Sequence, residues 1–236
     1  MPKNARLRWA ATFAALILGC GALPAVGQSH TAANTDTSVG GLPTLLLRGP
    51  SMYGAWVAAA HHSQFRTRTG VPGHRDFYLG SVRFGWSFGD RSPVSVSYFI
   101  DVIPAALSTD MPDYQWNSRC QPNTFCPNAT PISHDVYAFG LTPVGWSLAV
   151  GQGPARLTIE AAGGGLWFSR RVPDPLASRF NFTASVGPTL ELRMASSRSL
   201  RLGYLWHHTS NGGTGRVNPG LNSGILTAGV LWRMRG

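Results

Sequence analysis

The stretch "SLRLGYLWHHTS", residues 199–210, alternates apolar and polar side chains with a period of two. One face carries large apolar side chains, namely Leu200, Leu202, Tyr204 and Trp206, while Arg201 falls on the other face. Successive side chains of a β-strand point to opposite faces, so this alternation predicts a strand with one apolar and one polar face.

The same period recurs along the chain. It predicts eight strands, at 51–62, 76–88, 93–104, 135–148, 155–168, 180–193, 199–210 and 222–234. The second strand again gathers large apolar residues on one face: Tyr78, Val82, Phe84, Trp86 and Phe88. The opposite faces collect charges: Arg83, Asp101, Arg156, Glu160, Glu191, Arg193 and Arg201. Eight strands with apolar faces outward and charges inward predict an all-β protein, an eight-stranded antiparallel transmembrane β-barrel over residues 49–236.

The predicted connections alternate in length. Long segments at 63–75 and 105–134 contrast with short turns such as "GDRS" and "GQGP", which is the outer-membrane pattern of short periplasmic turns and long outer loops. A soluble lipocalin-like barrel is the alternative, and its polarity would be reversed, with the aromatic faces inside. A channel is disfavoured, because an eight-stranded interior filled with arginine and glutamate leaves no lumen.

The first residues predict export. Lys3, Arg6 and Arg8 precede a short apolar run, so residues 1–27 are interpreted as a signal peptide and residues 28–48 as a flexible periplasmic lead-in. A lipoprotein signal ending at Cys20 is an alternative. After cleavage Cys120 and Cys126 remain, and in an exported protein they predict a small loop disulfide. Two thiolates alone do not complete a zinc site.

The positive charge of the chain indicates a class of binding partner. The formal net charge is +10, and every lysine or arginine beyond the signal is an arginine. Arginine binds phosphate through two parallel hydrogen bonds, so anionic outer-membrane lipids are plausible neighbours. A genome rich in arginine codons explains the composition equally well. The sequence contains no recognisable nucleic-acid motif, and it predicts neither a cofactor nor a metal.

The end of the seventh predicted strand carries an H-x-S pattern. His208 and Ser210 lie two residues apart, and therefore on the outward face at the outer end of the strand. A histidine within reach of a serine hydroxyl is the arrangement that activates a serine nucleophile. The alternative is that both are ordinary polar residues at a membrane interface.

The run "HHTSNGG" followed by "VNPGLNS" resembles the lipid A deacylases of the outer membrane, the PagL or acyloxyacyl-hydrolase-like family. The resemblance is specific over residues 204–226 and looser elsewhere. It implies that Ser210 is the nucleophile, that His208 is its general base, and that the substrate is lipid A of lipopolysaccharide, which loses an ester-linked acyl chain. The active site would then face the outer leaflet.

The third catalytic position departs from the family. The characterised enzymes have a glutamate fourteen residues after the histidine, where this chain has Asn222. The asparagine carbonyl can orient the histidine but supplies no charge. No replacement carboxylate is expected, because Asp101, Glu160 and Glu191 should face inward and the remaining acids should lie in loops or turns. A non-catalytic barrel of the same family, with a structural or lipid-binding role, is therefore the alternative function.

The loop after Ser210 supplies the remaining candidates. The backbone N–H groups of Asn211, Gly212 and Gly213 are predicted to form an oxyanion hole, with Asn218 as a supporting residue. Arg216, in the same loop, is predicted to bind a lipid A phosphate.

Two other patterns in the sequence resemble functional motifs. "GWSFG" at 85–89 matches the nucleophile elbow, but that motif requires a strand followed by a helix, and Ser87 should face inward. The pairs His61-His62 and His207-His208 could meet across the last strand as a metal site, although they lack a carboxylate or thiolate companion.

Overall fold

A computed structural model of the chain describes residues 49–66, 72–88, 93–114, 131–173, 176–218 and 220–234. The predicted signal peptide, the lead-in and the cysteines Cys120 and Cys126 lie outside these residues. No described helix is long and apolar enough to cross a membrane.

The described residues form eight strands. They are β1 (Met52–Arg66), β2 (Pro72–Phe88), β3 (Val94–Tyr114), β4 (Pro131–Val150), β5 (Ala155–Val172), β6 (Ser178–Ala195), β7 (Arg198–Ser210) and β8 (Leu221–Arg233). Each pairs antiparallel with the next, and β8 pairs with β1, so the sheet closes into a barrel. The prediction of an eight-stranded antiparallel barrel is confirmed.

Several strands are longer at the outer end than the alternation predicts. β3 continues to Tyr114 and β4 begins at Pro131, so much of the predicted loop 105–134 is paired sheet. The pairing of β3 with β4 shifts register between Ile103 and Ala106 and again between Ser108 and Met111. Each such bulge places an extra residue in one strand and interrupts the period of two, which is why the sequence pattern ended too early.

The two faces of the barrel have opposite polarity. The outward face of β7 exposes Leu202, Tyr204 and Trp206, whereas Arg201 and Leu205 are buried inside. The other strands repeat this arrangement, with exposed outward residues such as Val82, Phe139, Ile159 and Leu226. The charged interior and apolar exterior contradict the lipocalin-like alternative.

Glu160 of β5 is the centre of the interior charge network. It accepts hydrogen bonds from Arg83 Nη1 at 3.0 Å and Arg201 Nε at 2.8 Å, and Arg201 Nη2 forms a further ion pair with it. Arg83 also donates two hydrogen bonds to Asp101, at 2.8 and 2.9 Å. The buried guanidinium groups are thus neutralised by carboxylates from other strands, as burial of charge requires.

The remaining predicted interior charges lie nearer the short-turn end. Arg156 donates to Ser95, and Glu191 pairs with Arg233 at 2.6 Å. Arg193, predicted to join the network, is instead exposed at the end of β6, where the barrel wall no longer covers it. In the described part of the barrel, the interior holds a cavity of about 20 Å³, lined in part by Arg83, Glu160 and His207. That volume suits about one water molecule.

Candidate active site

The candidate site lies where β7 ends and β8 begins. His208 of β7 pairs directly with Asn222 of β8, and Ser210 is the last residue of β7. His208, Ser210 and Asn222 all lie on the outward face, because the alternating neighbours His207, Thr209 and Ser223 are buried inside. Antiparallel pairing therefore brings together two residues that are fourteen positions apart in the sequence.

A hydrogen bond of 2.8 Å joins His208 Nδ1 to Asn222 Oδ1. An amide oxygen only accepts, so Nδ1 carries the proton and Nε2 is left with its lone pair. This is the tautomer that a histidine needs in order to take a proton from a serine hydroxyl. Asn222 therefore orients the imidazole of His208 without supplying a negative charge.

The His208 imidazole is held on both sides. The Trp206 ring stacks on it, with centroids 5.7 Å apart and planes 12° apart. On the side of β8, a Cβ atom at Gly220 would come within 2.7 Å of His208 Cε1. The ring thus occupies space that only a glycine at position 220 leaves open, and its orientation is restricted by packing as well as by Asn222.

Ser210 is not yet engaged with its predicted base. Its Oγ has no hydrogen bond to any described residue, whereas His208 is already bonded to Asn222. The two backbone positions lie about 7 Å apart along the strand. Catalytic hydrogen bonds commonly tighten only when substrate is bound.

The loop after Ser210 is organised by Asn211. Its side chain is buried, donates to Val217 O at 2.7 Å and accepts from Gly213 N at 2.9 Å. Its backbone N–H donates to Asn218 Oδ1 at 3.0 Å. Gly212 and Gly213 have φ values of 61° and 84°, a left-handed conformation that glycine adopts without strain.

These hydrogen bonds reduce the number of N–H groups that are available to the predicted oxyanion hole. The N–H groups of Asn211 and Gly213 are already used within the loop. The Gly212 N–H and the Asn218 Nδ2 have no acceptor among the described residues, and both residues are exposed. They are the two donors that remain available to a developing negative charge.

Arg216 is exposed in the same loop. Its backbone N–H donates to Leu176 O at 3.0 Å, which ties the loop to the connection between β5 and β6. The exposed residues Arg170, Arg171 and Arg179 lie on the outer ends of those two strands. Positive charge therefore accumulates on the β5–β6 side of the candidate site.

Comparison with known proteins identifies the family of this chain. The model of the lipid A 3-O-deacylase (PagL) family matches residues 113–230, half of the chain. The protein belongs to the lipid A 3-O-deacylase family. The matched region extends from the end of β3 into β8 and includes His208, Ser210 and Asn222.

Solved structures are also similar to this member of the lipid A 3-O-deacylase family. The crystal structure of the outer membrane enzyme PagL is 17% identical, with a TM-score of 0.47, covering 74% of this chain and 97% of its own. The crystal structure of Neisserial surface protein A is 15% identical, with a TM-score of 0.38, covering 78% and 97%. No curated protein sequence matches the chain.

The expectation that every remaining acid lies in a loop or turn was wrong for Asp76. Asp76 does not lie in a loop, because β2 begins at Pro72 and Asp76 is on its outward face. It accepts a hydrogen bond from His61 Nδ1 at 2.6 Å. The sequence contained the signal, because Asp76 has the same parity as the outward-facing Tyr78, but the pairing with His61 depends on the register of β1 with β2.

The structure describes most residues of the other two patterns in this member of the lipid A 3-O-deacylase family, but not the side chain of His62. Ser87 lies within β2, hydrogen bonded to Ser97 at 3.0 Å, and is not part of a strand-to-helix turn. His207 is buried inside the barrel against Phe77, on the opposite face from His208, so the two imidazoles cannot share one metal ion. Among the described residues, no group of three or more potential metal ligands is found.

Proposed function

We propose that the protein is a serine carboxylic ester hydrolase of the bacterial outer membrane. It removes an ester-linked hydroxyacyl chain, the 3-O-linked one, from lipid A of lipopolysaccharide. The observation that carries the proposal is the hydrogen bond from His208 to Asn222 on the outward face, with Ser210 two residues further along that face. Membership of the lipid A 3-O-deacylase family supports the choice of substrate.

In the proposed acylation step, Ser210 Oγ attacks the ester carbonyl carbon while His208 Nε2 takes the hydroxyl proton. The tetrahedral intermediate then collapses, the bond from the acyl carbon to the sugar oxygen breaks, and His208 returns the proton to that oxygen. Water attacks the resulting acyl-serine by the same route, which releases the fatty acid and regenerates Ser210.

The remaining loop residues have proposed supporting roles. The Gly212 N–H and Asn218 Nδ2 donate hydrogen bonds to the oxyanion, while Asn211 holds Asn218 and Gly213, the neighbour of Gly212, through its own hydrogen bonds. Arg216 binds a phosphate of lipid A. No cofactor or metal enters these steps.

The proposed location follows from the barrel surface. Its outward face is apolar and suits lipid tails, and the site lies at the end opposite the short turns. The site would then face the outer leaflet. Residues 1–27 are proposed as the signal peptide, residues 28–48 as the periplasmic lead-in, and Cys120 and Cys126 as a loop disulfide.

The test is mass spectrometry of lipid A from an outer-membrane host that produces the protein. We expect lipid A to lose the mass of one hydroxyacyl chain, and cells producing Ser210→Ala at an equal level in the outer membrane to keep it. Unmodified lipid A from cells with correctly inserted parent protein would contradict the proposal.

Asn222 favours a second candidate, a non-catalytic barrel of the same family, because it gives His208 no charge. Asn222→Asp retains the size of the side chain and adds a carboxylate, which stabilises the imidazolium formed during attack. We expect the turnover of lipid A to rise about tenfold, well below the roughly 10⁴-fold effect of the equivalent change in a serine protease, because here the tautomer is already correct. The turnover number with purified lipid A measures this.

The outcome separates the two candidates. Measurable activity in the parent, increased in Asn222→Asp, supports a catalyst with a weakened third residue. Activity only in Asn222→Asp, or in the longer Asn222→Glu, would support the non-catalytic barrel. A decrease would show that asparagine is the better orienter in this site.

A further inference from the structure

A second histidine and acid lie on the outward face of β1 and β2. His61 Nδ1 and Asp76 Oδ1 are 2.6 Å apart, and the Tyr78 hydroxyl donates to Asp76 Oδ2 at 3.4 Å. The side chain of His61 is 72% exposed and that of Asp76 is 20% exposed. His61, Asp76 and Tyr78 are together called the His61 cluster. Asp76 fixes the imidazole, and the imidazole is the part that faces the surroundings.

The His61 cluster and the candidate active site lie in the same half of the barrel, the half opposite the short turns. His61 follows Met52, the start of β1, by nine residues, and His208 follows Arg198, the start of β7, by ten. Asn222 precedes the end of β8 by eleven residues, and Asp76 precedes the end of β2 by twelve. These strand ends are all at the short-turn end of the barrel, so the four residues form one belt near the opposite rim.

The two groups lie on neighbouring strands, because Asn222 is on β8 and His61 is on β1, which pairs with β8. The pairing of β1 with β8 ends at Ala59 and Leu226, and His61 and Gly224 each follow two residues beyond that pair, away from the short turns. A Cβ atom at Gly224 would collide with the hydroxyl of Tyr204, which therefore lies over this glycine. The belt thus continues from His208 and Asn222 through the Tyr204 hydroxyl to His61. Gly224 contributes no large apolar side chain between them.

A β-bulge lies in β1 at the His61 cluster. Ala60 pairs with Phe77 and Ser63 with Arg75, so His61 and His62 together oppose the single residue Asp76. Bulges re-aim side chains and are frequent next to functional sites. An exposed ion pair contributes at most about 1 kcal/mol to stability, so stability alone is a weak reason for this arrangement.

We propose that the His61 cluster is a binding subsite for the sugar headgroup of a glycolipid whose ester lies at Ser210, an inference that rests on the proposed function. An imidazole held by a carboxylate, with tyrosine hydroxyls beside it, exchanges hydrogen bonds with sugar hydroxyl and amide groups. From β7 to β2 the belt spans three strand spacings, about 14 Å, which only a headgroup wider than one ester can cover.

Charge orients such a headgroup. The exposed arginines Arg170, Arg171, Arg179 and Arg216 lie on the β5–β6 side of Ser210, whereas the acid Asp76 lies on the β1–β2 side. Phosphate is therefore favoured at the arginines and disfavoured beside Asp76. The sugar part of the substrate extends across β8 towards His61.

The test is a binding measurement in the Ser210→Ala background, where no hydrolysis takes place. The dissociation constant of lipid A in detergent micelles is compared for that protein and for the added changes His61→Gln, Asp76→Asn and both together. Phosphatidylglycerol, which has phosphate and acyl esters but no sugar, is the second ligand. Asp135→Asn is the matched control, because Asp135 lies on the outward face of β4, on the far side of the barrel.

We expect His61→Gln and Asp76→Asn each to weaken lipid A binding about fivefold to tenfold, the effect of one or two hydrogen bonds. The double change should be no worse than either single change, since the two residues act as one unit. Phosphatidylglycerol binding and the Asp135→Asn control should be unaffected.

Three results would overturn the subsite. The first is unchanged lipid A affinity in both single variants. The second is an equal loss for both ligands, which would assign the cluster to phosphate or acyl groups. The third is a loss that disappears in EDTA, which would make it a cation site. If the parent protein binds lipid A but never cleaves it, the proposed function alone is contradicted. If the parent protein cleaves lipid A and the variants bind it with unchanged affinity, the proposed subsite alone is contradicted.

Discussion

His208→Gln should lower the turnover of lipid A by about 10³-fold. The glutamine side chain can still donate and accept hydrogen bonds, but it cannot take the proton of Ser210 and return it to the leaving sugar oxygen. General base catalysis by a positioned side chain contributes about 10²–10⁴-fold to a rate. Turnover by purified protein in micelles, with lipid A as the substrate, measures the loss.

The matched controls are Ser210→Ala and the double change. Residues that act as one catalytic unit are not additive, so His208→Gln with Ser210→Ala should be no slower than Ser210→Ala alone. Correct folding is checked by the altered gel mobility of the unheated barrel. Turnover within threefold of the parent in folded His208→Gln would rule out His208 as the base.

Glu160→Leu should destabilise the barrel by about 3–5 kcal/mol. Glu160 neutralises both Arg83 and Arg201, and all three side chains are buried inside the barrel. Removing one partner of a buried ion pair leaves an uncompensated charge, and here Arg201 would lose the carboxylate that accepts its hydrogen bonds, while Arg83 would retain Asp101. The free energy of unfolding by urea in lipid vesicles measures the effect.

The matched control is Glu191→Leu. Its partner Arg233 is 25% exposed near the open end, so water can solvate the guanidinium group after the change. We expect a loss of about 1 kcal/mol or less. Adding Arg201→Leu to Glu160→Leu should recover part of the loss, because it removes the charge left without a partner. Equal destabilisation by Glu160→Leu and Glu191→Leu would contradict this account of the interior.

The faces of the barrel were predictable because alternation is a local property. Trp206 and Arg201 can be assigned to opposite faces of β7 from their spacing alone, and the same reasoning placed Glu160 inside. The choice of ion-pair partners was not predictable. Arg83 meets Glu160 across the interior from a position 77 residues away, and no sequence spacing encodes that distance.

Within the candidate site, His208 and Ser210 were predictable as a pair since they share one face of one strand. Their relation to Asn222 required the register of β7 with β8, which the family resemblance implied and the pairing of His208 with Asn222 shows. Hydrogen bonds within the loop reduce the number of predicted oxyanion donors. Asn211 and Gly213 donate their N–H groups to side-chain oxygens of the loop, and such bonds depend on a fold that a glycine-rich sequence does not specify.

The sequence by itself determined the eight strands, their inward and outward faces and the H-x-S pattern of the candidate site, because each depends on neighbours a few residues apart. The tertiary structure decided where the bulges extend the strands, which charges pair inside, and that His61 and Asp76 lie one and two strands away from Asn222. Those features depend on closing the barrel between β1 and β8, which joins the two ends of the sheet. Closure sets the register of strands far apart in the chain, and no local pattern contains that information.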